Sequence, residues 1–150
     1  MRKATKRKFY NPKAITLKTS LNEYQKNAIG LMGFQSLDLI KRGVPVDGSF
    51  DCLACCINVS TVLAQSGKGA EYLDLCLQGL QALRNMHSRF EQTGRYVGSG
   101  NDYNALAAVL ELYRQQAEIC TQLDISKAIL EVERRADEQI AEKKIKIFKK

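Results

Sequence analysis

Apolar residues recur every three or four positions along most of this chain, which is the period of an amphipathic helix. Glycine or proline interrupts the pattern at short connections, and no segment shows the alternation of a half-buried strand. The pattern predicts five helices, with expected ranges 22–42, 50–65, 70–92, 102–122 and 125 into the 140s. We therefore expect an all-α fold, a single-domain bundle of four or five antiparallel helices.

The apolar stripes of the helices predict which residues enter the core. The second helix is apolar nearly all round its middle, CLACCINVSTVLA, which predicts a position in the centre of the bundle. The stripe of the first helix consists of Tyr24, Ala28, Leu31, Met32, Leu37 and Ile40. The stripe of the third helix consists of Leu73, Cys76, Leu77, Leu80, Leu83, His87 and Phe90. We expect both helices to turn these faces inward.

Short polar side chains mark the expected helix starts, because their oxygens accept hydrogen bonds from unpaired backbone N–H groups. The candidate caps are Asp47 or Ser49 for the second helix, Asn101 or Asp102 for the fourth, and Asp124 for the fifth.

Charge is distributed unevenly along the 150 residues. Residues 1–18 hold seven basic residues and no acid, residues 143–150 hold five lysines, and the rest sums to −5 within a total of +7. We divide the chain into a basic flexible arm at 1–20, a helical bundle at 21–142 and a basic C-terminal tail at 143–150. Basic ends of this kind attract phosphate or an acidic partner surface, or they only keep a protein in solution.

The hydropathy, the N-terminal residues and the cysteines of the chain indicate its cellular compartment. No stretch approaches the roughly 18 uninterrupted apolar residues of a membrane span. The basic start, MRKATKRKFY, is not followed by the apolar segment of a secretory signal. Five cysteines, an odd number with three clustered, are more typical of reduced thiols than of a disulfide scaffold. We expect a cytoplasmic protein that does not contact a membrane.

The cysteines and the single histidine are the first candidates for chemistry. Cys52, Cys55 and Cys56 can share a helix face, but a structural zinc site needs four ligands and His87 lies on another helix. A Cys–His nucleophilic pair lacks an orienting group, and core-facing thiols have raised pKa values. We expect His87 at the edge of its stripe, bonded to backbone or water. We expect no catalytic residue, no metal and no cofactor, and hence no enzyme.

Residues 94–106, GRYVGSGNDYNAL, place three glycines before the fourth helix, as phosphate-binding loops do. A P-loop requires a lysine and a hydroxyl residue after its last glycine, whereas Asn101 and Asp102 stand here. Asp102 also puts negative charge at the helix end where a phosphate would bind. The loop therefore predicts a hinge between two helices.

In this hinge each glycine has an expected role. Gly94 ends the third helix, and Gly98 and Gly100 permit positive φ. Arg95 and Tyr96 are the candidate contacts of the loop, as exposed side chains.

The N-terminal arm is the candidate contact for a partner or for nucleic acid. Its basic residues lie beside two aromatic rings that can stack on unpaired bases. These candidate residues are Arg2, Lys3, Lys6, Arg7, Lys8, Phe9 and Tyr10. No helix carries the basic recognition surface of a helix-turn-helix, so we expect any nucleic-acid binding to be arm-driven and largely non-specific.

The start MRKATKRK together with TGRYVGSGNDYNALAAVLELYRQQAEICT resembles an uncharacterised family of small helical proteins of proteobacteria, their phages and mobile elements. The resemblance implies an accessory setting, in which small helical proteins bind and inhibit or redirect a larger host protein. It carries no functional residue over to this chain. We therefore expect a non-catalytic accessory protein that binds a host protein. Nucleic-acid binding through the arms is the alternative, a small thiol or metal protein is the third hypothesis, and a homodimer is left open by the long fifth helix.

Overall fold

A computed structural model describes residues 19–44 and 47–148, with side chains as far as residue 143. The described residues form five α-helices and a short 3-10 turn, Ala70–Tyr72, before the third. The helices are α1 Glu23–Lys41, α2 Ser49–Gln65, α3 Leu73–Thr93, α4 Gly100–Ile119 and α5 Gln122–Phe148. Within this part of the chain the only strand-like pairing is an isolated bridge between Ser20 and Thr121. The predicted all-α class is confirmed.

The apolar helix α2 lies in the middle of the bundle. It contacts α1, α3, α4 and α5, and its side chains Leu53, Ile57 and Leu63 are fully buried. A helix that is apolar nearly all round can pack against neighbours on every side. The predicted central position is confirmed.

A buried amide ties α4 to the end of α2. The side chain of Gln116 accepts a hydrogen bond from the Ser60 hydroxyl at 2.7 Å and donates to the carbonyls of Ser60 and Lys68 at 3.1 and 2.9 Å. Because Gln116 is fully buried, these bonds replace the water that its amide loses. They also satisfy a carbonyl of the loop that follows α2.

Two glycines set how closely α1 and α3 approach α4. A Cβ added at Gly33 of α1 would overlap the Leu110 side chain, and one added at Gly79 of α3 would lie 2.7 Å from Cγ2 of Val109. Each glycine costs about 1 kcal/mol of helix propensity relative to alanine. The close packing of the helices is the compensation for that cost.

The stripe predicted for the first helix is buried only at its C-terminal end, so half of that prediction was wrong. The buried side of α1 consists of Gly33, Ser36, Leu37 and Ile40. The exposed residues are Tyr24, Ala28, Leu31 and Met32, and we call these four the α1 face. The small residues at 33 and 36 let that side of the helix approach α4 closely, so the larger side chains of the α1 face are turned away.

The stripe predicted for the third helix was partly wrong, although its members Cys76 and Leu83 are buried as expected. The buried side of α3 consists of Cys76, Gly79, Ala82, Leu83 and Met86. Three predicted core residues, Leu77, His87 and Phe90, are exposed. Gly79 and Ala82 again face the neighbouring helices because they permit the closest contact.

Three helices begin with a reciprocal pair of hydrogen bonds between side chain and backbone. The pairs are Asn22 with Gln25 at α1, Ser99 with Asp102 at α4, and Thr121 with Asp124 at α5. In each pair the earlier side chain accepts from the later N–H, and the later side chain accepts from the earlier N–H.

The predicted caps were therefore wrong. Asn101 and Asp102 lie inside the first turn of α4, and Asp124 lies inside the first turn of α5. The residue before α2 is Gly48, which has a φ of +83° and makes no side-chain cap, in place of the expected Asp47 or Ser49.

The described structure extends past both boundaries that the sequence predicted for the bundle, at residues 20 and 143. The expected arm at 1–20 overlaps the described residues at Thr19 and Ser20, and the Gln122 N–H donates to the Thr19 carbonyl at 3.1 Å. The expected boundary at residue 143 falls within α5, which continues to Phe148. None of the described helices is both long and apolar enough to cross a membrane.

Candidate functional site

The glycine loop, residues 94–99, is a packed connection between α3 and α4. Gly94 ends α3 with a φ of +74°, as expected, whereas Gly98 and Gly100 do not have the positive φ that was expected. Gly98 is needed for a steric reason, because an added Cβ would lie 2.8 Å from the ring of Tyr103. The Tyr103 hydroxyl accepts a hydrogen bond from the Gly98 N–H at 3.0 Å.

A partly buried ion pair holds this loop from both sides. Nη1 of Arg89 on α3 lies 2.6 Å from Oδ2 of Asp102 on α4, and it also donates to the Val97 carbonyl at 3.1 Å. Asn85 donates to the other carboxylate oxygen of Asp102 at 3.1 Å, and the Ser99 N–H donates to Oδ2 at 2.9 Å. Three donors, from Arg89, Asn85 and the Ser99 backbone, therefore meet at one carboxylate.

Asp102 is ionised at neutral pH because of the hydrogen bonds that its carboxylate accepts. Burial alone would raise the pKa of Asp102, but the hydrogen bonds from Arg89, Ser99 and Asn85 hold it at about 2. The start of α4 thus already contains an anion, whose carboxylate accepts the N–H of the capping residue Ser99. That the loop does not bind phosphate stays a prediction.

The two candidate contacts of the loop differ in exposure. Arg95 is exposed, as expected. Tyr96 is partly buried, contrary to expectation, because its ring is stacked between Phe50 and Phe90 at centroid distances of 4.0 and 4.2 Å. Burial also raises the pKa of the Tyr96 hydroxyl. Only Arg95 has a side chain that is free for a partner without repacking of the loop.

His87 lies in an open groove between α2 and α3. Its Nε2 lies 3.2 Å from a carboxylate oxygen of Glu91, and its ring is 6.4 Å from that of Phe50. The partner of Nε2 is thus a carboxylate one helical turn away, which was not predicted, and the expected backbone or water partner of the ring stays a prediction. The His87–Glu91 pair is exposed, and such pairs contribute little to stability.

The cysteines are free thiols, and three of the five, Cys56, Cys76 and Cys120, are buried. Burial raises the pKa of Cys56 to about 12 and that of Cys120 to about 11. Burial also raises the pKa of the exposed Cys55, which lies near Cys52 and Glu133. Among the described residues, no three His, Cys, Asp or Glu side chains are placed to hold a metal ion.

The α1 face consists of residues that the sequence predicted to be buried in the core and that are exposed in the structure. Tyr24 is 82% exposed and Leu31 is 57% exposed. Tyr24 and Ala28 also line a shallow groove between α1 and α5, whose other apolar members are Leu21, Ile29 and Ile125. An apolar surface therefore runs from the middle of α1 to the start of α5.

The arm candidates from Arg2 to Tyr10 lie outside the described residues, so their role stays a prediction.

No protein-family model, no curated protein and no solved structure matches this chain. The resemblance to a family of small helical proteins therefore also stays a prediction.

Sequence reasoning missed the Arg89–Asp102 pair and the α1 face. A signal for the first was present, because Ser99 and Asp102 have the spacing of a capping box, which places Asp102 beside the backbone of Ser99. For the second, the signal was Gly33, because a glycine on a helix face marks a close contact with a neighbouring element.

Proposed function

We propose that this protein is a non-catalytic accessory protein that acts by binding another protein. The observation that carries the proposal is the α1 face. Its four apolar residues are exposed and lie away from the buried side of α1, so they contribute little to the packing of the core. Contiguous exposed apolar surface of this kind is typical of interaction sites.

The chemistry of the α1 face fits a protein partner. Tyr24 and Met32 are of the residue types that are enriched in interfaces, and Lys26 beside them is engaged with Glu118 at 3.0 Å. The groove between α1 and α5 extends the apolar area and offers a recess for a side chain of the partner.

The non-catalytic part of the proposal is supported by the state of the reactive groups. The Cys56 and Cys120 thiols are buried with raised pKa values, which makes them poor nucleophiles. The Asp102 carboxylate is occupied by Arg89 and by backbone. The setting in a phage or mobile element, the host-protein target and the cytoplasmic location rest on the sequence resemblance and composition alone.

The test is affinity capture from the native host with a matched pair of variants. Tyr24→Ser combined with Leu31→Ser removes the two most exposed large side chains of the α1 face. Leu77→Ser combined with Val97→Ser is the control, since these exposed apolar residues lie on α3 and in the glycine loop. We expect one protein to be retained in stoichiometric amount by the parent and the control, and to be lost with the α1 variant. Retention by both variants, or no retained protein, would contradict the proposal.

Nucleic-acid binding is the second candidate, and the lysine-rich end of the chain favours it. Lysines stand at 143, 144, 146, 149 and 150, and the helix α5 continues through most of this stretch. Deleting both basic ends, residues 1–18 and 143–150, is expected to remove a mobility shift with DNA or RNA, and the affinity of the full chain should fall steeply with salt. Absence of any shift at low salt would exclude this candidate.

A further inference from the structure

The groove that contains His87 has a third wall, which Gln139 of α5 supplies. Its volume is about 490 Å³, and the part of it nearest the core is lined by apolar side chains that are buried or partly buried. These apolar side chains are Phe50, Ala54, Leu80 and Leu83. A groove of this size can hold a small ligand, and the four side chains supply an apolar surface on which it can lie.

The polar side chains of the groove differ in whether they already have a partner. Nε2 of His87 lies 3.2 Å from a carboxylate oxygen of Glu91, and the amide of Asn58 donates to the Ala54 carbonyl at 2.8 Å. The guanidinium of Arg84, in contrast, forms no hydrogen bond or ion pair with any group in the part of the chain that the structure describes. Its charge and its donors are therefore available to a ligand.

A second donor stands next to Arg84 on the same face of α3. Ser88 follows four residues later, which places its Cβ about 5–6 Å from that of Arg84. Both side chains are exposed and both line the groove. A guanidinium binds a carboxylate through two parallel hydrogen bonds, and a neighbouring hydroxyl can donate a third. This edge of the groove therefore matches the acceptors of one carboxylate.

The charges of the groove favour a ligand with one negative charge. Glu91 is an acid on the same wall as Arg84, about 10 Å further along α3. That separation is about one Debye length at about 0.1 M salt, so Glu91 repels a carboxylate bound to Arg84 only weakly. A phosphate monoester carries nearly two negative charges at neutral pH, which one guanidinium does not neutralise. The groove therefore fits a carboxylate better than a phosphate.

We propose that this groove is a binding site for a small carboxylic acid with an apolar body. The carboxylate pairs with Arg84 and Ser88, and the apolar body lies on the four apolar side chains of the groove. Sites of this composition, an apolar lining with a few polar groups that fix orientation, are typical of small-molecule binding. No residue of α1 lines the groove, so the site is independent of the protein-binding function proposed for the α1 face.

The first test is a titration of the full-length protein with phenylpropanoate, followed by proton–nitrogen correlation NMR. We expect saturable shifts of the amides of the groove residues at millimolar ligand concentrations. Phenylpropanamide keeps the apolar body without the charge and should bind about tenfold more weakly, because a charge-assisted hydrogen bond is lost. Acetate keeps the charge without the apolar body and should cause no saturable shift in the groove.

The second test uses protein variants with a matched control. Arg84→Gln should weaken the binding of phenylpropanoate about tenfold and leave the binding of the amide unchanged, and because Arg84 is exposed the fold should be retained. Arg95→Gln, at an exposed arginine outside the groove, should bind both ligands as the parent does. Ala54→Leu keeps the guanidinium but fills the apolar part of the groove, so it should weaken the binding of both ligands.

Four results would overturn the proposal. The first is the absence of saturable shifts in the groove at phenylpropanoate concentrations up to about 10 mM. The second is equal affinity for the acid and the amide, and the third is an affinity of Arg84→Gln equal to that of the parent. The fourth is tighter binding of phenyl phosphate than of phenylpropanoate, because the site would then recognise a dianion.

Discussion

The guanidinium of Arg89 lies 2.6 Å from the carboxylate of Asp102, and these two side chains join the end of α3 to the start of α4. The Asp102 side chain is only 7% exposed, so the pair is screened from solvent on one side. The same carboxylate completes the cap of α4. One residue therefore fixes a helix start and the path of the loop before it.

Asp102→Asn is expected to lower the free energy of unfolding by about 2 kcal/mol at neutral pH, because the charge that Arg89 and the backbone stabilise is removed. The pKa of Asp102 is about 2 in the folded protein and is ordinary in the unfolded chain. A lowered folded pKa means that the stabilisation is complete above the unfolded value, about 4, and is lost as the pH falls towards 2.

Urea denaturation followed by circular dichroism at several pH values checks this prediction. The gap between parent and variant should close as the pH falls from about 4 to about 2. A gap of constant size over that interval would mean that the carboxylate is not the charged partner of Arg89.

Gly79→Ala is expected to destabilise the bundle by about 1–3 kcal/mol, although alanine is the better helix former. The added Cβ would lie 2.7 Å from the short, buried side chain of Val109, which has little room to move. Gly100→Ala is the control, since no atom lies within 4 Å of its added Cβ. Thermal unfolding of both variants measures the difference, and equal midpoints would show that α3 and α4 are not in close contact at Gly79.

The thiols are expected to fall into two groups when the native protein is titrated with a chromogenic disulfide reagent. Cys52 and Cys55 should react, whereas the buried Cys56, Cys76 and Cys120 should react only after unfolding. The reaction of Cys55 should speed up as the pH rises past 9, because its pKa is raised and the thiolate is the reactive form. Serine replacement of each cysteine, one at a time, assigns the groups. Rapid reaction of all five in the native state would contradict the packing of α2.

The helices and the central place of α2 were predictable from sequence, because the apolar period and the absence of a polar face on α2 are local properties. The orientation of α1 was not predictable, because the helix has apolar residues on two sides and the side with the larger ones is exposed. Gly33 and Ser36 decided the orientation through close contact with α4, which depends on residues far away in the chain.

The candidate site was predictable to a lesser degree. The loop connects two helices as predicted, and Arg95 is exposed as expected. The stacking of Tyr96 between Phe50 and Phe90 could not be predicted, because the two rings come from different helices and the spacing of neither marks the contact.

The central position of α2 determines the order in which the helices become accessible to solvent during unfolding. Because α2 contacts all four other helices, the amide hydrogens of its buried middle can meet solvent only after several neighbours have moved away. Native-state hydrogen exchange should therefore report the global unfolding free energy from α2. Exchange should be fastest along the exposed part of α5, so the molecule opens from its C-terminal helix inward.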